Sequence, residues 1–277
     1  MSSAEHASAI KVRDLRFAYG EREILAGIDL SIRPGEIVGL LGPNGSGKST
    51  MVKVLSGILK PYGGSVTLGG RELRDLAPRD LARILAVVPQ EPVFGFSFNA
   101  LEVVLMGRHP HLAGLAFESK GDIALARNAL ERCGALQFAN RPVLELSAGE
   151  RQRVVAARAL AQEPGCLLLD EPASFMDIRH QVELFDLVRS MADDEETGVL
   201  SVLHDLNIAA EYCDRIYLLK EGRILAAGPT AEVFTYANLK ETFDTDVYVD
   251  VNDITGRMLV VPLSRKRNPG VSGAPDD

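Results

Sequence analysis

The chain has 277 residues, 46% of them hydrophobic, a formal net charge of -8 and three cysteines. That hydrophobic content suits one or two packed lobes, and the acidic balance argues against a protein that holds nucleic acid mainly through phosphate contacts. Cys133, Cys166 and Cys213 lack paired spacing, which excludes a disulfide framework or a zinc site and leaves reduced packing residues. No apolar run reaches the roughly 18 residues needed to span a bilayer, and residues 1–12 lack a basic region followed by an apolar one. A cytosolic protein with at most a peripheral membrane role is expected.

In chain order, strand-like apolar spacing over 9–17 and 24–32, with Gly20 to Glu23 as the turn, predicts an antiparallel opening. The apolar run 37–41 then leads through glycines into a helix predicted over 48–59, a strand–loop–helix unit. After a turn at Tyr62-Gly63-Gly64 come a strand over 65–68, a short helix over 79–84 and a strand over 85–88, ended by Pro89-Gln90. Residues 91–165 change character, with helical patterns at 100–107, 122–133 and 149–162 and little strand signal, so a helical insertion is expected. Apolar strands at 166–169 and 199–203, separated by a helix over 178–191, restore parallel α/β alternation. A hairpin across Lys220-Glu221-Gly222 joins 215–219 to 223–227, and 264–277 reads as a polar tail. The fold class expected is α/β: a mixed sheet with helices on both faces, plus an antiparallel β subdomain and an inserted α-helical subdomain. One domain over 9–262 is expected, its helical part at about 91–165.

The loop between 37–41 and the following helix reads Gly42-Pro43-Asn44-Gly45-Ser46-Gly47-Lys48-Ser49-Thr50 and matches GxxxxGK(S/T) in the strand–helix setting that pattern requires, so the α/β core is expected to be a P-loop NTPase core. Its glycines let backbone N–H groups approach phosphate oxygens, and the helix points its positive end at the same anion. Lys48 is expected on the β- and γ-phosphates and Ser49 on Mg²⁺. Strand 166–169 ends in Asp170-Glu171. In parallel sheets ligands sit beyond the carboxyl ends of strands, so Asp170 is expected in the Mg²⁺ shell and Glu171 as the base that polarises water.

Upstream, Leu146-Ser147-Ala148-Gly149-Glu150-Arg151-Gln152-Arg153 resembles the LSGGQ signature and basic helix of the ABC ATPase family. The resemblance covers about residues 10 to 240. It implies ATP hydrolysis with Mg²⁺ in a head-to-tail homodimer, where Ser147, Ala148, Gly149 and the D-loop Asp177 of one copy face ATP held by the other. It implies that Tyr19 stacks on adenine, that Gln90 senses Mg²⁺ and the γ-phosphate, and that His204 is the switch histidine. Three positions depart from the family pattern: Ala148 for glycine, Glu150 for glutamine, and Phe175-Met176 in the D-loop. Ala148 would add a methyl and Glu150 a negative charge near the nucleotide, either of which would slow closure.

Residues 106–111, Asp177-Ile178-Arg179-His180-Gln181 and His204-Asp205-Leu206-Asn207 resemble the importer branch serving iron-siderophore, haem and vitamin B12 uptake. That branch implies two permease subunits, an extracytoplasmic binding protein met only indirectly, no nucleic acid, and a place on the cytoplasmic face of the membrane. Val93, Phe94, Phe96 and Phe98 are either the floor for a permease helix or ordinary subdomain core. His109 and His111, beside Pro110, make a poor metal site. An exporter ATPase, or a soluble ATPase of the same family without a permease, is the alternative.

Overall fold

The computed structural model describes residues 9–112 and 117–264. Strands β1 (Ile10–Tyr19) and β2 (Arg22–Ile32) form a hairpin closed by Gly20 and Glu21 alone, since Arg22 already pairs with Tyr19. The turn is therefore shorter than expected. After β3 (Ile37–Leu41), helix α1 (Lys48–Leu55) stops earlier than its apolar pattern suggested, because Gly57 takes φ 75° and its N–H bonds back to Val54. Strands β4 (Gly63–Leu68) and β5 (Arg71–Glu72) complete an antiparallel sheet of order β2-β1-β4-β5.

Helix α2 (Pro78–Ile84), with proline in its first turn, leads into β6 (Leu85–Val88). Helices α3 (Ala100–Leu105), α4 (Lys120–Arg132) and α5 (Ala148–Ala161) follow. Each starts on a reciprocal cap, Asn99 with Glu102, Ser119 with Asp122 and Ser147 with Glu150, which satisfies two orphan N–H groups apiece. Then come β7 (Cys166–Asp170), α6 (Ile178–Glu195), β8 (Gly198–Val202), α7 (Leu206–Tyr212), β9 (Arg215–Lys220) and β10 (Arg223–Pro229). The central sheet has order β10-β9-β3-β8-β7-β6, parallel except at β10.

The continuous apolar runs of β3, β7 and β8 are explained by two cores. Ile37, Leu41, Leu167, Leu169 and Val199 point into one with α5 and α6, while Val38, Leu40, Cys166, Leu168, Leu200 and Val202 point into another with α1 and the antiparallel sheet. The three cysteines are free and buried, and burial pushes the thiols of Cys133 and Cys166 up to about 12.

The chain continues through α8 (Thr230–Val233), α9 (Tyr236–Phe243) and a hairpin of β11 (Val247–Val251) and β12 (Met258–Pro262), none of which the sequence reading anticipated. The expected tail at 264–277 lies, apart from Ser264, outside the described residues. Among the described residues no helix is long and apolar enough to cross a membrane.

Candidate functional site

The sheet order places the carboxyl ends of β3, β8, β7 and β6 side by side, and each delivers part of one site. From β3 comes the glycine loop. A Cβ on Gly42 would lie 2.0 Å from the Leu219 carbonyl oxygen, and one on Gly47 would lie 2.9 Å from Leu25 Cδ2, so the loop is wedged between β9 and β2. The β9–β10 turn locks it there: the Gly222 N–H donates to the Ser46 carbonyl at 3.1 Å, and Ala26 N–H donates to the Gly222 carbonyl at 2.9 Å.

Inside the loop, Lys48 is buried and its ammonium donates to the carbonyls of Gly42 at 2.8 Å and Pro43 at 3.1 Å. Burial lowers its pKa, while Glu171 and Asp170 pull the other way. Ser46 is buried and its hydroxyl has no partner within the protein. A buried hydroxyl in a cradle that rejects a Cβ, beside a desolvated lysine, suits phosphate oxygens.

Asp170 closes β7, and Ser49 Oγ donates to its carboxylate at a loose 3.4 Å. Burial first, then the neighbouring Glu171, raises the pKa of Asp170, so the site disfavours its charge until a cation arrives. Hydroxyl and carboxylate are hard oxygen donors of the kind Mg²⁺ prefers.

Glu171 follows with φ 50°, a left-handed conformation fixed by its N–H donating to the Val202 carbonyl at 3.1 Å. Gln90 Nε2, from the end of β6, donates to Glu171 Oε2 at 2.5 Å. His204 Nε2, beyond β8, lies 2.5 Å from Glu171 Oε1. The structure thus brings together Gln90, Asp170, Glu171, His204, Lys48 and Ser49 from four segments. Tyr19 stands at the end of β1, 49% exposed and edge-on to Phe17 at 4.8 Å.

The signature residues stand at the starts of α5 and α6. Ser147 caps α5, and Gly149 lies so close to Phe175 that a Cβ would meet its carbonyl oxygen at 3.3 Å. Asp177 caps α6, accepting from His180 N–H at 3.0 Å. Among the described residues no hydrogen bond or ion pair links Ser147, Ala148, Gly149 or Asp177 to the loop 42–50. Glu150 does not project a free charge: its carboxylate accepts from Ser147 N–H at 2.8 Å, lies 3.7 Å from Arg141, and is held below its ordinary pKa chiefly by that backbone bond.

Two residues near the site had no role assigned from the sequence. Ser174 Oγ donates to Glu171 Oε2 at 3.3 Å, and buried Gln152 donates to the Pro89 carbonyl at 2.9 Å, tying the signature helix to the strand end that carries Gln90. Gln152 was legible as a polar residue on the face of Val155, Ala156 and Ala159. His109 and His111 are separately engaged, His109 3.8 Å from Glu118 and His111 2.9 Å from the Gln162 carbonyl.

A family model described as ABC transporter matches residues 25–174. The cobalamin import ATP-binding protein BtuD of Halobacterium salinarum is 42% identical over 240 residues, 87% of this chain, which spans only 60% of that protein's length. The hemin import ATP-binding protein HmuV of Pseudomonas putida is 45% identical over 257 residues, 91% of this chain and 99% of that one. A metal-chelate type ABC transporter in an inward-facing conformation superposes with a TM-score of 0.82 at 27% identity, covering 94% of this chain and 99% of its own. A dimeric bacterial ABC transporter cassette gives 0.73 at 29% identity, over 80% and 98%. With the family model spanning more than half of the sequence and a relative matched almost end to end, the chain belongs to the ABC transporter family of ATP-binding proteins.

Proposed function

We propose that this chain is the ATP-hydrolysing subunit of an importer for a metal chelate such as haem, cobalamin or an iron-siderophore. The backbone of Gly42, Pro43, Asn44, Gly45, Ser46 and Gly47, with Lys48 and Thr50, receives the phosphates, and Tyr19 takes the adenine. Ser49, Asp170 and Gln90 would hold Mg²⁺, which when bound neutralises charge on the β- and γ-phosphate oxygens. Among the described residues no group of three His, Cys, Asp or Glu could hold a metal alone, and Ser49, Asp170 and Gln90 would leave room for phosphate and water oxygens beside them. Glu171 accepts a proton from the attacking water as the bond to the γ-phosphorus forms and the bond to the bridging oxygen breaks. His204 donates to a γ-phosphate oxygen, and Gln90 and His204 fix the orientation of the base.

Since Ser147, Ala148, Gly149 and Asp177 lie apart from the chain's own loop, a second copy packed head to tail supplies them to each ATP. That reading draws support from the dimeric cassette. The working unit pairs two such chains with two permease subunits on the cytoplasmic face, contacts the binding protein only through them, and involves no nucleic acid. Residues 91–165 act as the helical subdomain of one domain over 9–262, and Val93 and Phe96, both exposed, belong to its permease-facing surface. The import role and cargo class rest on the relatives' names.

The observation that carries the reading is the Glu171 carboxylate held at once by Gln90 and His204 beside Asp170 and Lys48. Glu171→Gln keeps the side chain's shape and one acceptor oxygen but removes the base, so phosphate release by the purified full chain should fall by about 10²-fold or more while ATP binding persists. Wild-type turnover in that variant would overturn the assignment.

A further inference from the structure

The helix after His204 is gripped from outside the nucleotide site. Asp205 caps α7, its Oδ1 accepting from the N–H groups of Asn207 at 2.8 Å and Ile208 at 3.1 Å. The side chain of Asn207 turns instead to the C-terminal hairpin. Val260 N–H donates to Asn207 Oδ1 at 2.9 Å, and Asn207 Nδ2 donates to the Val260 carbonyl at 3.2 Å. Val260 stands opposite Val249 in the β11–β12 ladder, so both backbone groups engaged by Asn207 belong to the outer edge of β12. The amide completes that edge as a third strand would. Val260 is 2% exposed, and without Asn207 its N–H and carbonyl would be buried without partners.

The other end of α7 is fixed independently. Tyr212 donates to Asp186 on α6 at 2.8 Å, and its ring lies 5.3 Å from that of Phe185. The first turn of α7, where His204 enters, depends on the Asp205 cap and on the grip of β12. Asn207 does not reach the glycine loop or Glu171, so the nucleotide chemistry leaves it unexplained.

We propose that the β11–β12 hairpin positions His204, acting through the two-point pairing of Asn207 with Val260. This rests on reading Glu171 and His204 as a hydrolytic pair. Asn207 is then a positioning residue: freeing the start of α7 lets the imidazole leave Glu171 Oε1, while the phosphate loop, held by Gly222 and making no hydrogen bond with Asn207, keeps its place.

The test uses the full chain. Asn207→Leu removes both hydrogen bonds at similar volume, and Asn207→Asp keeps the acceptor for Val260 N–H while losing the donor. Asn207→Leu should lower kcat about five- to tenfold with KM for ATP changed by less than about twofold, and Asn207→Asp should fall between it and wild type. In nucleotide-free protein, the imidazole carbon-bound proton signal of His204, assigned with His204→Ala, should shift in Asn207→Leu while those of His109, His111 and His180 stay in place. Wild-type kcat together with an unmoved His204 signal would overturn the proposal. If Asn207→Leu does not fold, Asn207→Asp is judged by the same two measurements. Glu171→Gln separates the two readings. Should that variant hydrolyse ATP normally, the hydrolytic pair is wrong, and the His204 signal alone still decides whether the hairpin holds the imidazole.

Discussion

Arg108→Met is the most informative perturbation outside the nucleotide site. The Arg108 side chain is only 8% exposed and closes three segments together. Its Nε donates to Asp122 in the first turn of α4 at 3.1 Å, and its Nη1 donates at 2.7 Å to both the Ala161 carbonyl at the end of α5 and to Glu163. Methionine keeps much of the stem's volume but leaves Asp122 and the Ala161 carbonyl without their cationic donor. Removing one partner of a buried ion pair costs about 3–5 kcal/mol. Two features reduce that here: Ser119 still donates to Asp122 from its hydroxyl and its backbone, and Glu163 is 56% exposed and rehydrates. The expected loss is about 2–3 kcal/mol, read as a lower urea midpoint near neutral pH and a fall in Tm of about 5–10 °C.

The same variant has a pH signature. Bonds from Ser119 first, and from Arg108 after them, hold the Asp122 carboxyl at about 2, below its ordinary 3.8. A lowered carboxyl pKa contributes stability above the unfolded value and loses it as pH falls through the folded one. The gap between wild type and Arg108→Met should therefore hold from neutral pH to about pH 4 and narrow below it. A loss smaller than about 0.5 kcal/mol near neutral pH would refute the argument that this guanidinium carries the junction.

Gly42→Ala forces a methyl group to 2.0 Å from the Leu219 carbonyl oxygen, so the loop must shift and affinity for a fluorescent ATP analogue should drop at least about tenfold. Glu150→Gln should leave turnover within about twofold of wild type, because the carboxylate is already absorbed by the Ser147 cap; a larger gain would restore the view that its charge opposes closure. Asp170→Asn should raise the Tm of nucleotide-free protein near neutral pH. A carboxyl with a raised folded pKa contributes most below its unfolded value and loses that contribution as pH rises through the folded one, so the ionised form is a cost that asparagine removes. Calorimetry showing a lower Tm would contradict this.

The core sheet was legible because β3, β7 and β8 are apolar on both faces, and the glycine loop because its pattern fell between a strand and a helix. The contact of Gln90 and His204 with Glu171 could not be read as geometry, since it spans 81 and 33 residues and depends on β6, β7 and β8 being neighbours. The setting of Glu150 could not be read from its neighbours alone: it follows Ser147 by three residues, and the capping box ties its carboxylate to the Ser147 N–H. The end of α1 was missed because Gly57 terminates a helix whose apolar pattern continues into Ile58 and Leu59. The β11–β12 hairpin has an alternating pattern in Val247, Val249 and Val251, yet its docking depends on Asn207, some 53 residues away along the chain.

The turn between β9 and β10 bears on how inherited or engineered variants of this chain would be classified. Gly222 adopts φ 74°, and any side chain there would drive its Cβ to 2.3 Å from the Ile24 carbonyl oxygen. Its N–H is the one that secures Ser46, so a substitution releases the phosphate loop from behind. In a survey scored by ATP binding, such a lesion should read like loss of Lys48. Sorting variants by the side chains of the loop alone would file position 222 as benign, whereas sorting them by what braces the loop places it with the loop itself.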